Sequence, residues 1–312
     1  MAMELATDSN QSSNMILVTG ATGLNGAELV RRLSARGVAV RALVRNATGA
    51  NAAKVAELSL LPGVHVAEGD MAQPDTLASA LSGIDRAMLI SSSDPTMREV
   101  QSAFIDAAAR AGVRHVVKLS GIIPDLKSPF RFARMHGEIE QHLEASGMAF
   151  THLRAGEFMH AYFRQVPSTV NRGTLALPMA DARIASIDIG DIAEVAADVL
   201  TSAGHEGKTY PITGPEALTM SEVAAALSEA TGKPIRYVDV PPDAARAAQI
   251  AAGMPAYLAD GLAELFAERR KGKEATVSQV IPTIFKRRPL SFADFARRHA
   301  AVFRGAQPAP RI

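Results

Sequence analysis

Three glycines near the start of the chain have the spacing and surroundings of a dinucleotide-binding turn. Gly20, Gly23 and Gly26 follow the apolar run at 15–18 and open a helical pattern through Leu33. Glycines at such a turn let the backbone approach a pyrophosphate, and free N–H groups of the following helix face the phosphates. The alternative is a turn that needs glycine for its backbone alone. The segment predicts a phosphate cradle made by the following residues: Gly20, Thr22, Gly23, Leu24, Asn25 and Gly26.

Arg45 ends the second predicted strand, where an NAD-binding unit usually carries an acidic residue for the ribose hydroxyls. A guanidinium at this position suits the 2′-phosphate of NADP(H) instead, because it forms charge-assisted hydrogen bonds. A solvated surface arginine is the alternative. After the third strand, Asp70 and Met71 are placed to meet the adenine, although Asp70 could equally cap the next helix.

Hydroxyl and amino groups follow the fourth and fifth predicted strands, at the edge where open α/β sheets bind ligands. Ser91, Ser92 and Ser93 suit the cofactor's ribose, or form a loop that hydrogen-bonds to itself. Lys118 and Ser120 share one face of their strand and should lie near the nicotinamide. We also assign two residues beyond the sixth strand to the cofactor site: Gly156 and Phe158.

The elements that position these residues alternate between strand and helix, which predicts a parallel, doubly wound α/β sheet of about six strands, a Rossmann fold. The predicted strands lie at 15–18, 38–44, 64–67, 87–90, 115–119 and 149–153. The predicted helices after the first lie at 53–60, 74–81, 97–111 and 132–146.

Beyond Arg154 the alternation loosens, which predicts a small substrate lobe. We expect an NADP-binding domain at 15–155 and a lobe at 156–303, some of whose elements return to the sheet. A seventh strand is predicted near 209–212, and a helix capped by Asp188 at 189–201. The polar leader at 1–14 and the tail at 304–312 are expected to be disordered.

Composition restricts the range of functions. The 312 residues are 47% hydrophobic, and 33 basic side chains nearly balance 32 acidic ones, so the net charge of +1 gives no field that would attract nucleic acid. No stretch is predicted to cross a membrane, and no group of residues has metal-ligand spacing. The chain lacks cysteine, which fits a reducing compartment, and we expect a cytoplasmic protein.

Several motifs resemble the NmrA-like group of atypical short-chain dehydrogenases. They are Thr-Gly-Ala-Thr-Gly-Leu-Asn-Gly at 19–26, Leu-Val-Arg at 43–45, Glu-Gly-Asp at 68–70 and Ala-Gly-Val-Arg-His-Val-Val at 111–117. The segments at 90–93, 136–154 and 205–210 most resemble the bacterial NADPH quinone oxidoreductases and triphenylmethane reductases of that group. The resemblance spans nearly the whole chain and implies NADP(H) on the cradle.

One departure from the wider superfamily bears on the chemistry. Members with the usual mechanism carry Tyr-x-x-x-Lys on the helix after the fifth strand, whereas this chain has His136 and Glu140 there. Residues four apart share a helix face, so Glu140 could orient His136 near the nicotinamide. His136 could instead be a packing residue. Our candidate catalytic residues are therefore His136, Ser120 and Lys118.

The sequence thus predicts an NADPH-dependent reductase that transfers hydride to a soft electrophile, such as a quinone, a dye or an activated enone or imine. A protein that binds NADP(H) without catalysis, senses redox state and regulates a protein partner is the alternative. The expected ligand is a small electrophilic molecule, with no nucleic acid, membrane or metal partner. The sequence is also compatible with a homodimer.

Overall fold

The computed structural model describes residues 15–308 of the chain. The predicted leader at 1–14 and the last four positions of the predicted tail, 309–312, lie outside the described residues. The remaining part of the tail starts with hydrogen bonds to the last helix: the Gly305 N–H donates to the Val302 carbonyl and the Ala306 N–H to the Ala301 carbonyl.

The strands include the apolar runs of the sequence, in which branched side chains suit a sheet that is covered on both faces. They are Ile16–Val18 (β1), Val40–Val44 (β2), Val64–Glu68 (β3), Arg86–Leu89 (β4), His115–Gly121 (β5), Ala149–Ala155 (β6), Thr174–Leu177 (β7), Lys208–Ile212 (β8) and Arg236–Asp239 (β9).

The α-helices are Leu24–Ala35 (α1), Ala52–Ser59 (α2), Ala78–Leu81 (α3), Met97–Arg110 (α4), Arg131–Ala145 (α5), Val166–Arg172 (α6), Ile189–Thr201 (α7), Met220–Thr231 (α8), Pro242–Ala251 (α9), Ala256–Arg269 (α10), Val280–Ile284 (α11), Phe292–Arg298 (α12) and Ala300–Phe303 (α13). Asp188 caps α7 as predicted, since its side chain accepts a hydrogen bond from the Gly190 N–H at 2.9 Å.

Within residues 15–308, seven strands form one parallel sheet in the order β3-β2-β1-β4-β5-β6-β8. This order confirms the predicted doubly wound fold, and β8 confirms the predicted seventh strand. The order of the strands reverses between β1 and β4, so their carboxyl ends border the crevice in which sheets of this kind bind ligands.

Alternate side chains of the strands face two helical layers. Ile16 and Val18 of β1 pack in a cluster with α1, α2 and α7, whereas Leu17 packs on the other face with α3, α4 and α5. A third apolar cluster joins β7, α8, α12 and α13 away from the sheet. β7 and β9 form a separate parallel pair. The boundary between the two predicted domains, at 155/156, stays a prediction.

Candidate active site

The glycine turn joins β1 to α1 in a conformation that needs glycine at two positions. Gly20 has φ +61°, and a Cβ on Gly26 would lie 2.2 Å from the Gly20 carbonyl oxygen. The turn is closed by a 2.9 Å hydrogen bond from the Gly23 N–H to that same carbonyl. No side chain caps α1 at Gly23, so the first N–H groups of the helix are free to bind a phosphate.

One side chain beside this turn fits a bound dinucleotide, and another holds the strands beneath the turn together. The Asn25 side-chain oxygen is buried and has no hydrogen-bond partner among the described residues, which is what a polar group aimed at a ligand would show. The Thr19 hydroxyl donates to the Ile90 carbonyl at 2.8 Å and accepts from the Ile90 N–H at 2.7 Å. These bonds hold the ends of β1 and β4 side by side beneath the turn.

Cationic side chains border the same turn. Arg45 lies exposed at the carboxyl end of β2, and none of residues 15–308 pairs with its guanidinium. Arg41, by contrast, is engaged with the carbonyls of Ala80 and Ser82 at 2.9 and 2.7 Å. Lys54, to which no motif of the sequence points, donates from Nζ to the Thr22 carbonyl at 3.2 Å. Lys54 is thus a second cation near the turn.

Asp70 and Met71 follow β3, and both are partly buried. The Asp70 carboxylate accepts from the Ala72 N–H at 2.9 Å, which closes a local turn. It does not cap the next helical turn, where Gln73 occupies the N-cap position without a side-chain hydrogen bond. Met71 packs against the core layer of α3 and α4.

The three serines after β4 line a cavity at the carboxyl edge. The Ser91 hydroxyl accepts a 2.7 Å hydrogen bond from Nε2 of Gln101, which is buried in α4. The other side-chain atom of Gln101, Oε1, is buried without a partner in the part of the chain that the structure describes. Sequence reasoning missed Gln101, although a glutamine between Met97 and Phe104 on an apolar helix face is a visible signal.

Lys118, Ser120 and His136 come together between β5 and α5. Lys118 is fully buried, and its Nζ lies 2.8 Å from Nδ1 of His136 and 3.1 Å from the Ser120 hydroxyl. His136 is half-buried and its ring lines the cavity. A Cβ on Gly121 would lie 3.0 Å from Cδ2 of His136, so glycine leaves room for the imidazole. Contact between Lys118 and a ligand therefore runs through His136 or Ser120.

Glu140 does not orient His136, contrary to what the helix spacing suggested. Its carboxylate pairs with Arg154 of β6, with an Oε2 to Nη2 distance of 2.6 Å. Arg154 lies opposite Ser120 in the β5–β6 register and so reaches the same face of the sheet. Lys118, rather than Glu140, is the partner of the imidazole, because the strand side chain lies directly beneath the helix.

Burial sets the charge states of this group. It lowers the pKa of Lys118 to about 7, although the Glu140 carboxylate acts in the opposite direction. Burial and the neighbouring Lys118 ammonium lower the pKa of His136 well below its ordinary value. Burial raises the pKa of Glu140, but hydrogen bonds from Arg154 and Ser120 outweigh this effect and leave that pKa below its ordinary value. His136 is accordingly a neutral imidazole at pH 7.

The cavity beside His136 has a volume of about 470 Å³ and is lined by both parts of the molecule. The sheet edge contributes Asn25, the three serines, Ser120, Gly121 and Gly156. The C-terminal part contributes apolar side chains, among them Phe158, Leu258, Leu262 and Leu265. Three further apolar residues near this site belong to the core instead: Met159 and Phe163 lie in the third cluster, and Met135 packs against the α4–α5 layer.

The far end of the cavity holds charges that pair with one another. Arg269 is buried and forms ion pairs with Glu157 and with Glu274, the latter at 2.7 Å. Burial raises the pKa of Glu274, an effect that Arg269 opposes. No spacing pattern in the sequence predicts this cluster, because Glu157 and Arg269 lie more than 100 positions apart.

Residues 15–308 contain neither a metal-ligating cluster nor a membrane-spanning helix. No group of three or more His, Asp or Glu side chains is arranged to hold a metal ion. None of the helices in this range has the length and apolar character needed to cross a bilayer.

Residues 12–292 match the NmrA-like family. The chain belongs to this family. It is 40% identical over 292 residues to the NAD(P)H azoreductase of Xenophilus azovorans, a match that covers 94% of this chain and all of the relative.

Two solved members share the fold over most of their length. The NADPH-dependent quinone oxidoreductase QOR2 of Escherichia coli, complexed with NADPH, superposes with a TM-score of 0.81 at 32% identity, covering 91% of this chain and 99% of that one. The triphenylmethane reductase of Citrobacter sp., complexed with NADP(H), gives a TM-score of 0.81 at 25% identity, covering 92% and 99%.

Proposed function

We propose that this NAD(P)H-dependent oxidoreductase uses NADPH to reduce soft electrophiles, namely quinones, dyes and activated enones or imines. The observation that carries the proposal is a neutral His136 imidazole beside a largely apolar cavity, at the position where the wider superfamily has tyrosine. A neutral imidazole is a weak acid, which suits substrates whose reduced form needs little help from a strong acid.

NADP(H) is the cofactor, and the geometry of the turn suits it. We assign the pyrophosphate to the free N–H groups at the start of α1, next to Gly23. Arg45 and Lys54 would bind the 2′-phosphate, since both cations border the turn on the side of β2. Asn25 and the serines at 91–93 would bind the nicotinamide half. When bound, the cofactor supplies the hydride.

The substrate class follows from where negative charge develops during reduction. A simple ketone becomes a strongly basic alkoxide, which requires a well-placed acid. A quinone becomes a delocalised phenolate, and a cationic dye is merely neutralised, so binding and orientation can supply much of the rate acceleration. The apolar side chains from α10, Leu258 and Leu262, would hold the flat ring of such a substrate.

We place the reaction in the cytoplasm.

The test is a matched panel of quinones, cationic dyes and unactivated ketones, with NADPH consumption as the readout. We expect wild type to reduce quinones and dyes and to leave ketones unchanged. General acid assistance is typically worth about 10²- to 10⁴-fold, and we expect His136→Ala to lose a part of it on quinones, a reduction of about tenfold. Ketone turnover that disappears in the variant would contradict the substrate argument. Inertness across the panel, with NADPH bound, would favour a redox sensor.

A further inference from the structure

The contact between Lys118 and His136 determines which nitrogen of the imidazole carries a proton. An ammonium has three donors and no acceptor, so a charged Lys118 can only donate to Nδ1 across the 2.8 Å contact. The proton of the neutral ring is then on Nε2. No residue between 15 and 308 forms a hydrogen bond with Nε2, which lies on the ring edge that faces Gly121 and the cavity.

Lys118 itself has no exposed surface and no carboxylate within hydrogen-bonding distance among the described residues. Its hydrogen-bond partners are a hydroxyl, a backbone carbonyl and the imidazole, all neutral. Burying an ammonium among neutral partners costs free energy, and the cost is avoided when the ammonium loses its proton. Lys118 therefore holds a proton that it can lose easily, in contact with His136, the imidazole that lines the cavity.

We propose that Lys118 is the proton source of the active site and that His136 passes the proton on to the oxygen of the reduced electrophile. This inference rests on the proposed function. It assigns the two residues different roles: His136 touches the substrate, and Lys118 acts through it.

The transfer balances without any other reactant. The reduced quinone carries the two electrons that it received from NADPH and has a negatively charged oxygen. An O–H bond forms there as the Nε2–H bond of His136 breaks, while Nδ1 takes a proton from Nζ of Lys118. His136 remains neutral with its proton on Nδ1, and Lys118 becomes a neutral amine that can accept from it. After the product leaves, Nε2 of His136 takes a proton from water in the cavity while the Nδ1 proton returns to Nζ of Lys118, which restores both the ammonium and the starting tautomer.

The charge environment permits this loss of a proton near neutral pH, as the lowered pKa of Lys118, about 7, indicates. The titratable and charged groups that face Lys118 come from α5 and β6: His136, Glu140, His152 and Arg154. Glu140 favours the ammonium, but its own pairing with Arg154 keeps the local charge balanced. Because only the ammonium can donate, quinone reduction should slow as the pH rises through about 7.

The first experiment observes the proton directly in the protein without cofactor. Nitrogen-15 NMR of the histidine rings should show His136 in the Nε2–H tautomer below pH 7, with a change in its Nδ1 shift as Lys118 titrates. In Lys118→Met, which preserves most of the volume, that change should vanish. A His136 ring with its proton on Nδ1 at low pH would overturn the proposal.

The second experiment uses the different proton demands of two substrates. Reducing a neutral quinone consumes a proton, whereas reducing a cationic triarylmethane dye by hydride does not. We expect Lys118→Met to lower kcat on the quinone by about tenfold, the loss expected for His136→Ala, and on the dye by less than about threefold. Lys208→Met, at an exposed position of β8, is the matched control and should change neither rate.

The outcomes separate a failure of the proton relay from a failure of the proposed function. Equal losses on quinone and dye would overturn the relay and leave Lys118 a structural residue. If wild type reduces neither substrate, the proposed function fails, while the NMR result still decides the contact between Lys118 and His136. Should Lys118→Met fail to fold, His136→Gln decides, because an amide can donate a hydrogen bond but cannot relay a proton. It should lose quinone turnover selectively.

Discussion

Single side chains in this protein acquire their roles from partners that sequence spacing does not reveal. His136 and Glu140 are one helical turn apart, yet each pairs with a strand residue instead, Lys118 and Arg154 respectively. The helix α5 lies over β5 and β6, so side chains on its inner face meet the sheet rather than one another. Spacing along a helix thus predicts which residues share a face but not which of them interact.

Arg45 allows a prediction about cofactor preference. NADPH should bind more tightly than NADH, and Arg45→Ala should weaken NADPH binding by the 1.5 to 3 kcal/mol typical of a charged hydrogen bond, roughly 10- to 150-fold. Calorimetric titration with both cofactors measures the effect. NADH binding should change little in the variant, since the 2′-phosphate is absent.

The matched control for this prediction is Arg110→Ala. Arg110 is exposed at the C-terminal end of α4, the end farther along the chain from the serines at 91–93. It should leave both affinities unchanged. Equal affinities of the wild type for NADPH and NADH would remove Arg45 from the cofactor site.

At the scale of elements, the β1–α1 turn depends on one close approach of two backbone segments. Gly26 lies so near the Gly20 carbonyl that any Cβ would overlap it, whereas a Cβ on Gly23 would lie at 3.2 Å. The structure therefore identifies Gly26 as the most restricted position of the three. The spacing of the three glycines in the sequence does not distinguish them, because it says nothing about the distance from each Cβ position to the neighbouring backbone.

Gly26→Ala should abolish tight NADPH binding, because the turn must open to admit the methyl group. We expect a loss of about 1 to 3 kcal/mol in the free energy of unfolding, the usual cost of overpacking. Fluorescence titration with NADPH and chemical denaturation provide the two measurements.

Gly37→Asn near the end of α1 is the control for Gly26→Ala. It has φ +73° with open space around its Cβ position, and asparagine tolerates that conformation. Normal NADPH binding by Gly26→Ala would mean that the cradle lies elsewhere.

The helix α10 contributes the apolar wall of the cavity and is joined to α5 by one ion pair. Glu264 accepts from the Arg131 N–H at 2.8 Å and from the guanidinium at 2.6 Å. Partial burial raises the pKa of Glu264, but these hydrogen bonds outweigh it and hold the pKa below its ordinary value. The folded state therefore favours the ionised carboxylate, and the resulting stability is present at neutral pH and lost in acid.

Glu264→Gln should lower the free energy of unfolding by about 1 kcal/mol at pH 7, after allowance for solvent screening. The difference from wild type should shrink as the pH falls below about 4, where the wild-type carboxylate also becomes protonated. Urea denaturation at several pH values measures this. Because Leu258 and Leu262 move with α10, KM for the quinone should rise while NADPH affinity stays unchanged.

Glu229→Gln is the control for this pair, since Glu229 is exposed on α8 and its contact with Arg297 is 3.9 Å long. It should leave stability unchanged across the same pH range. A Glu264→Gln difference that persists in acid would show that packing, rather than charge, joins the two helices.

Over the whole molecule, basic side chains are concentrated in two short runs, at 269–273 and 286–288, and several of them pair with acidic side chains. Arg287 pairs with Glu194 and Asp198 of α7, and Arg270 lies 3.3 Å from Asp239. With a net charge of +1, little cationic surface is left for a polyanion.

We therefore expect no sequence-specific DNA binding at physiological salt, because nucleic-acid affinity depends strongly on the number of phosphates that a protein neutralises. A selection from random duplexes, followed by gel-shift assays at about 150 mM salt, tests this. A tight and reproducible DNA site would show that DNA binds to a surface other than the one formed by these paired arginines. The assay uses the full chain, including residues 1–14 and 309–312.

The sheet, the glycine turn and the cation at the end of β2 could all be predicted from the sequence. These features depend on local patterns: apolar runs of strand length, glycines where a Cβ would overlap backbone, and alternation between strand and helix. Each pattern needs only near neighbours in the chain. For the same reason, Asp188 could be recognised as a helix cap before its hydrogen bond to the Gly190 N–H was known.

The pairing of the polar groups, by contrast, depends on the folded molecule. Lys118 meets His136, Gln101 meets Ser91, and Arg269 lies between Glu157 and Glu274 because helices and loops of separate segments pack over one edge of the sheet. Burial then sets the pKa values of Lys118 and His136, and burial is a property of the packed molecule. The chain encodes these pairs through its fold, and no spacing in the sequence displays them.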